Sequence, residues 1–246
     1  MKRLALELTA EGKTFRVTGT MPDSPVRPRR VLPLLHRMTD RLVDAAIART
    51  TARGAEISCR EGCAACCRQL VPVGATEARA LRTLVAEMPE PRRSEVRGRF
   101  EAVKERMATA GILERARAME SVAGAEDVAL GRTYMEMWMP CPFLEDESCS
   151  IYPDRPAICR EFIVTSHPDD CADATAYHVR PVPLPARASR GVFALEGPGD
   201  DPVVLPLALA LDWAESHAGS EPPARPPKRW LGVAKAAIVR SEGSTR

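Results

Sequence analysis

The sequence predicts a mainly α-helical protein with a small N-terminal β-hairpin and an irregular, loop-rich segment that contains cysteines. Apolar residues recur at helical spacing through much of the chain and alternate only near its start. Proline is frequent, at 22 of 246 residues, so the elements are expected to be short and often interrupted. All eight cysteines lie between residues 59 and 171, so special chemistry is expected in that part of the chain.

The N-terminal residues predict a hairpin, a linker and a long helix. Alternating apolar residues on both sides of a Glu11-Gly12 turn predict two antiparallel strands; they are Leu4, Leu6, Leu8, Phe15 and Val17. Three prolines within residues 22–30 indicate a linker. Residues 31–53 carry apolar side chains at helical spacing, and Gly54 is expected to stop that helix.

Two amphipathic stretches predict further helices. Thr76 is a favourable N-cap for a helix that Pro89 and Pro91 are expected to end. A second apolar stripe starts at Val96 and predicts a helix that extends through Ala118. This part of the chain is therefore expected to be almost entirely helical.

The second half is expected to be less regular. Residues 134–177 hold six of the 11 aromatic residues, four of the eight cysteines and five prolines, a composition typical of loops. A helix is predicted at 203–217 despite Pro206, and a small one around Trp230.

These patterns divide the chain into three predicted segments. Residues 1–30 form the hairpin and linker, and residues 31–180 form a helical cysteine-cluster domain. Residues 181–246 form a proline-rich connector followed by C-terminal helices.

Composition and charge exclude several classes of function. A formal net charge of +2 argues against a dedicated nucleic-acid binder. No stretch approaches the roughly 20 apolar residues of a membrane-spanning helix, and the start has no apolar signal segment. The expected location is the cytoplasm, where thiols stay reduced. Cysteines there indicate metal ligands or redox centres before disulfides, so the partner that the sequence indicates is a metal ion.

The cysteines fall into two groups. The first is Cys59, Cys63, Cys66 and Cys67, and the second is Cys141, Cys149, Cys159 and Cys171. Four thiols within nine residues are hard to explain as buried apolar groups, so metal binding is predicted for all eight. Zinc and iron–sulfur clusters are both commonly held by four thiolates. The metal, the number of sites, which of the cysteines are ligands and whether Cys171 is one of them stay open.

Helix geometry constrains the first group. On a continuous helix its four thiols share one face, but Cys59 and Cys67 would lie about 12 Å apart. Sulfurs around one tetrahedral zinc lie within about 4 Å of each other. Either the backbone bends at Gly62, or the ligands divide between two metals, or the centre is a larger cluster. The hypothesis is a helix at 63–67 joined through metal to the loop segment 141–171.

Arginines near the cysteines favour a metal centre. Bound thiolates leave such a site negative even after the charge of the metal. Arg60, Arg155 and Arg160 are expected to offset that charge by contacting the ligands.

The cysteine motifs also resemble a known family. They are the first group, then Cys141-Pro-Phe-Leu, then Cys149-Ser-Ile-Tyr-Pro-Asp-Arg-Pro-Ala-Ile-Cys-Arg-Glu-Phe. Together they resemble the YkgJ-type cysteine-cluster proteins over about residues 55–172. The resemblance implies a domain that chelates zinc or iron and supplies no defined biological role. The first spacing, with three residues between Cys59 and Cys63, fits the family loosely.

Three other functions are left open. The Cys59-x3-Cys63-x2-Cys66 spacing is that of radical S-adenosylmethionine enzymes, but the helices broken by prolines that follow do not predict their barrel. A flagellin lysine-methylating group has similar motifs, which implies an iron–sulfur-dependent methyltransferase. The adjacent Cys66 and Cys67 would also suit a thiol redox sensor. No hydrolytic, phosphate-binding or dinucleotide motif is found, so whether the protein is an enzyme stays open.

Overall fold

A computed structural model of the chain describes residues 1–60, 62–119, 128–173, 178–196 and 202–242. The fold is mainly helical with a small N-terminal antiparallel hairpin, which confirms the predicted fold class. Within the described ranges, no helix is both long and apolar enough to cross a membrane.

The hairpin follows the predicted alternation. Strand β1 (Lys2–Ala10) pairs antiparallel with β2 (Lys13–Met21). Glu11 and Gly12 both have left-handed backbone angles, with φ of 49° and 73°, as a two-residue hairpin turn requires. The hairpin prediction is therefore confirmed, and both strands extend beyond the residues that predicted them.

Helix α1 (Leu32–Ala52) lies under the hairpin. It follows a 3₁₀ turn at Pro28–Val31, and β2 packs against it. Gly54, with φ of 81°, stands directly after the helix, as predicted. The alternation of the strands and the helical spacing of α1 therefore bury their apolar faces against each other.

Helix α2 (Ala75–Ala86) begins at Ala75, one residue before Thr76, which was the predicted N-cap. Strand β3 (Pro72–Gly74) leads directly into it, so Gly74, with an extended backbone, occupies the N-cap position. The prediction of Thr76 as the cap is wrong. Its hydroxyl instead donates to Glu196 Oε1 at 2.8 Å from inside the first turn.

The helix predicted from Val96 through Ala118 is two helices. Helix α3 (Arg92–Thr109) and helix α4 (Leu113–Arg117) are separated at Gly111. Gly111 has φ of 71°, which an α-helix cannot accommodate, so the chain turns there.

The segment around the second cysteine group contains only short elements, as predicted. They are α5 (Val128–Glu136), β4 (Leu144–Glu145), β5 (Ser148–Cys149), a 3₁₀ turn (Tyr152–Asp154), α6 (Ala157–Glu161) and α7 (Pro168–Ala172). Residues 174–177 at its predicted end lie outside the described residues.

The region predicted as one helix at 203–217 contains three elements. Strand β6 (Val204–Pro206) pairs antiparallel with β3, a 3₁₀ turn follows, and helix α9 (Ala210–Ser216) completes the region. The first half of that prediction is wrong because Val204–Pro206 completes a sheet and takes an extended backbone. Helix α8 (Ala188–Phe193) precedes β6 in the chain.

The C-terminal helix α10 (Pro227–Glu242) confirms the helix predicted around Trp230. Val26 and Arg225 exchange backbone hydrogen bonds of 2.8 and 3.0 Å, and the buried Trp230 indole donates to the Val26 carbonyl at 2.8 Å. We call Val26, Arg225 and Trp230 the terminal clasp. One hydrophobic cluster joins the hairpin, α1, α8 and α10, so both ends of the chain share a core.

Candidate metal centre

The first cysteine group lies on a bent segment. Gly62 has φ of 79°, and the Cys63 amide donates to the Arg60 carbonyl at 3.1 Å. Only Ala65–Arg68 is helical, as a single 3₁₀ turn. The helix hypothesised at 63–67 is therefore reduced to this 3₁₀ turn, which begins after the bend at Gly62.

The second group approaches the first through backbone and packing contacts. The Cys141 amide donates to the Cys67 carbonyl at 2.7 Å, which fixes residues 67 and 141 side by side. Cys149 lies on β5 opposite Leu144, and Cys159 lies on α6.

Two further contacts bind the ends of the cysteine segment. Cys59 Sγ accepts from the Val164 amide at 3.3 Å, so Cys59 lies beside the chain that follows α6. Cys171 is buried on α7, which packs against the 3₁₀ turn, and Gln69 Nε2 donates to its carbonyl at 3.1 Å. All eight cysteines thus belong to one region of the fold.

Electrostatic interactions among the thiols define two overlapping sets. Cys66, Cys141, Cys149 and Cys159 each interact with the other three, and we call them the thiol quartet. Cys59, Cys63 and Cys171 interact mutually, and we call them the thiol triad. Cys66 connects the sets, since it also interacts with Cys59 and Cys171 and its thiol is hydrogen-bonded to that of Cys67.

Six of the eight thiols have raised pKa values. Burial raises the pKa of Cys141 to about 12, that of Cys171 to about 11, and the pKa of Cys159 well above its ordinary value. The hydrogen bond with Cys67, followed by burial, raises the pKa of Cys66. All eight are free cysteines, and in the described part of the chain no three Cys, His, Asp or Glu side chains form a ready ion-binding group. The clustered donors are nonetheless all sulfur, which suits zinc or iron.

Arg155 is placed as a partner for thiolates. Its charge lowers the pKa of Cys59, Cys66 and Cys149, against the larger effects that raise them. Its Nε atom is buried and has no hydrogen-bond partner among the described residues. The guanidinium lies 3.8 Å from the ring centre of Tyr152, which is 58% exposed.

Arg68 has the same kinds of contact as Arg155. It interacts electrostatically with Cys67, and its Nε is likewise buried without a partner in the described ranges. Its guanidinium lies 4.9 Å from the ring centre of Trp138, which is 50% exposed. Glu147 holds the guanidinium through a 2.6 Å contact. Two buried arginine N–H groups in the cysteine region therefore lack acceptors in the part of the chain that the structure describes.

The other two predicted arginines are placed differently. Arg160 is buried and binds both carboxylate oxygens of Asp40 on α1 at 3.0 Å, and its charge also lowers the pKa of Cys149. Its main contact therefore joins α6 to α1. Arg60 is exposed in the turn before Gly62.

Sequence reasoning missed Glu77 and the Arg68–Trp138 pair. Glu77 is buried on α2, interacts electrostatically with Cys159, and accepts from the Ala157 amide at 2.7 Å at the start of α6. These contacts join residues far apart in the chain, so local spacing carried no signal for them.

A family comparison agrees with this region. Residues 58–181 match the model of a cysteine-motif family, CxxCxxCC, described as a "putative zinc- or iron-chelating domain". The chain belongs to this family. The match covers half of the chain and every cysteine, which supports metal chelation without naming the metal. No curated protein and no solved structure matched.

Proposed function

We propose that the protein binds zinc or an iron–sulfur cluster, with the thiol quartet as its principal ligand set. The observation that carries the proposal is the 2.7 Å backbone hydrogen bond from Cys141 to Cys67, which joins the two cysteine segments where Cys66, Cys141, Cys149 and Cys159 all interact electrostatically. Four thiolates are the number that a closed zinc site or a cluster takes. The triad and Cys67 supply the ligands for a second site.

The two unpartnered arginine N–H groups support an anionic centre. Arg68 Nε and Arg155 Nε are buried, and a buried donor without an acceptor is unfavourable. Thiolates would accept these hydrogen bonds, whereas protonated thiols are weak acceptors. Zinc would hold the two cysteine segments together, and a cluster would in addition accept and release single electrons.

Thiol sensing receives less support. Sensor cysteines have lowered pKa values, because the thiolate is the reactive form. Here the Cys67 hydrogen bond and burial raise the pKa of Cys66. We therefore favour metal binding for the adjacent pair.

The test is anaerobic purification followed by metal and sulfide analysis and a visible spectrum. Stoichiometric zinc without visible absorbance would establish a zinc site. Brown protein with iron and acid-labile sulfide would establish a cluster. Folded protein that neither contains nor takes up metal would refute the proposal.

A further inference from the structure

A cavity of about 390 Å³ lies between α1, α2, and the residues Asp154 and Pro156. This volume is within the range of small-molecule sites. Part of its wall is apolar, formed by Leu32, Leu81 and Leu84. No step of the proposed metal binding uses this space.

Glu77 is one of the residues that line the cavity, and one of its carboxylate oxygens is unsatisfied among the described residues. Glu77 is 2% exposed, and its Oε1 accepts from the Ala157 amide at 2.7 Å and from His36 Nε2 at 3.0 Å. Its Oε2 is buried and has no hydrogen-bond partner among the described residues. A carboxylate oxygen in this position favours a charged N–H donor, because hydrogen bonds between ions are about twice as strong as neutral ones.

The rim offers the opposite charge. Arg29 and Arg30 are exposed, lie on the 3₁₀ turn before α1 and line the cavity. Among the described residues, the Arg29 guanidinium makes a single long contact, of 3.4 Å to Thr83 Oγ1, so it is available to an anion. Glu87 and Asp154 also line the rim, which disfavours a ligand that is purely anionic.

We propose that this cavity binds a small zwitterion whose ammonium group meets Glu77 and whose anionic group meets Arg29 and Arg30. The apolar wall would cover the methylene groups between the two charges. This proposal does not depend on the metal, so the two can fail separately.

The test uses three probes of similar length on the full-length protein: δ-aminovalerate, n-pentylamine and valerate. Calorimetric titration should show δ-aminovalerate binding at least about tenfold more tightly than either single-ended probe. Failure of all three to bind would mean that water alone satisfies Glu77, and would overturn the proposal.

Variants locate the binding. Glu77→Gln keeps an oxygen for the Ala157 amide and should weaken δ-aminovalerate binding by about tenfold or more. Replacing both Arg29 and Arg30 with Gln should also weaken δ-aminovalerate binding by about tenfold or more, because it removes the contacts to the carboxylate of the probe. If circular dichroism shows that Glu77→Gln misfolds, this double variant alone tests the proposal. Arg82→Gln, an exposed α2 residue that does not line the cavity, is the matched control. Unchanged affinity in the folded Glu77 variant, or in the double arginine variant, would contradict the assignment.

Discussion

Arg68 and Arg155 share one geometry at the edge of the cysteine region. Each guanidinium lies against an exposed aromatic ring and also interacts electrostatically with at least one thiol. Stacking on Trp138 or Tyr152 fixes the guanidinium plane, so each buried Nε–H keeps its direction. Lysine would keep the charge and lose this directed donor.

Arg155→Lys is therefore expected to lower metal affinity by about tenfold, the range seen when partners of metal ligands are lost. Competition with a chelator measures the affinity. The exposed Arg41 on α1 provides a matched Arg→Lys control that should leave affinity unchanged. Equal affinity of the Arg155 variant and the wild type would show that the Nε donor has no part in the centre.

The two thiol sets predict different outcomes for cysteine substitutions. Cys149→Ser removes a quartet ligand and should remove the more tightly held metal. Cys63→Ser alters only the triad and should retain that metal. Metal content after dialysis against a weak chelator distinguishes them. Equal losses in both variants would show that the thiols form one undivided site.

At the scale of elements, α8 and α10 approach closely at Gly191. A Cβ there would lie 2.8 Å from the Ala234 carbonyl oxygen and 2.9 Å from Ile238 Cδ1. Gly191→Ala should therefore lower the free energy of unfolding by about 2 kcal/mol through overpacking. On α10, Gly232 has open space around it, and Gly232→Ala should raise that free energy by about 1 kcal/mol. Urea denaturation measures both, and equal effects would contradict the close packing.

The start of α3 predicts a pH dependence. The Ser94 hydroxyl donates to Glu90 Oε2 at 2.8 Å, and this bond, followed by that from Arg93, lowers the pKa of Glu90. A lowered pKa gives stability that is present above the ordinary glutamate pKa and lost as the pH falls through the lowered value. Glu90→Gln should therefore reduce Tm at neutral pH and have a vanishing effect in acid. Glu105→Gln, at an exposed site later on α3, is the control and should leave Tm unchanged. If Glu90→Gln reduces Tm equally at neutral and acidic pH, the lowered pKa of Glu90 does not explain the effect.

Local patterns predicted those elements whose burial follows a simple period. The hairpin, α1 and α10 each bury one face against the shared core, so their sequences carry the period. The prediction of one helix at 203–217 was wrong in its first half because a short apolar run fits a buried strand and a buried helix equally well. Convergence of the cysteines could be predicted from four thiols in nine residues. Membership of the quartet could not, because it depends on long-range contacts such as that between Cys141 and Cys67.

At the scale of the molecule, the family-matched segment depends on the rest of the chain. Helix α6, which carries Cys159, packs against α1, and Arg160 binds Asp40 there. Strand β3 and helix α2 also pack on β6 and α9. The three elements that support the segment, α1, β6 and α9, all lie outside residues 58–181.

A fragment of residues 58–181 is therefore expected to lack a stable fold and to bind metal more weakly than the full chain. Its amide NMR spectrum should show little dispersion, with the full-length protein as the reference. A well-dispersed spectrum with full metal content would show that the segment folds alone.

The terminal clasp has a consequence for the order of events during synthesis. The Val26 carbonyl and amide find their partners only at Arg225 and Trp230. A ribosome makes all eight cysteines, at residues 59–171, before it makes those partners. The nascent thiols therefore meet the metals and oxidants of the cell while the core shared by hairpin and C-terminal helix is still open.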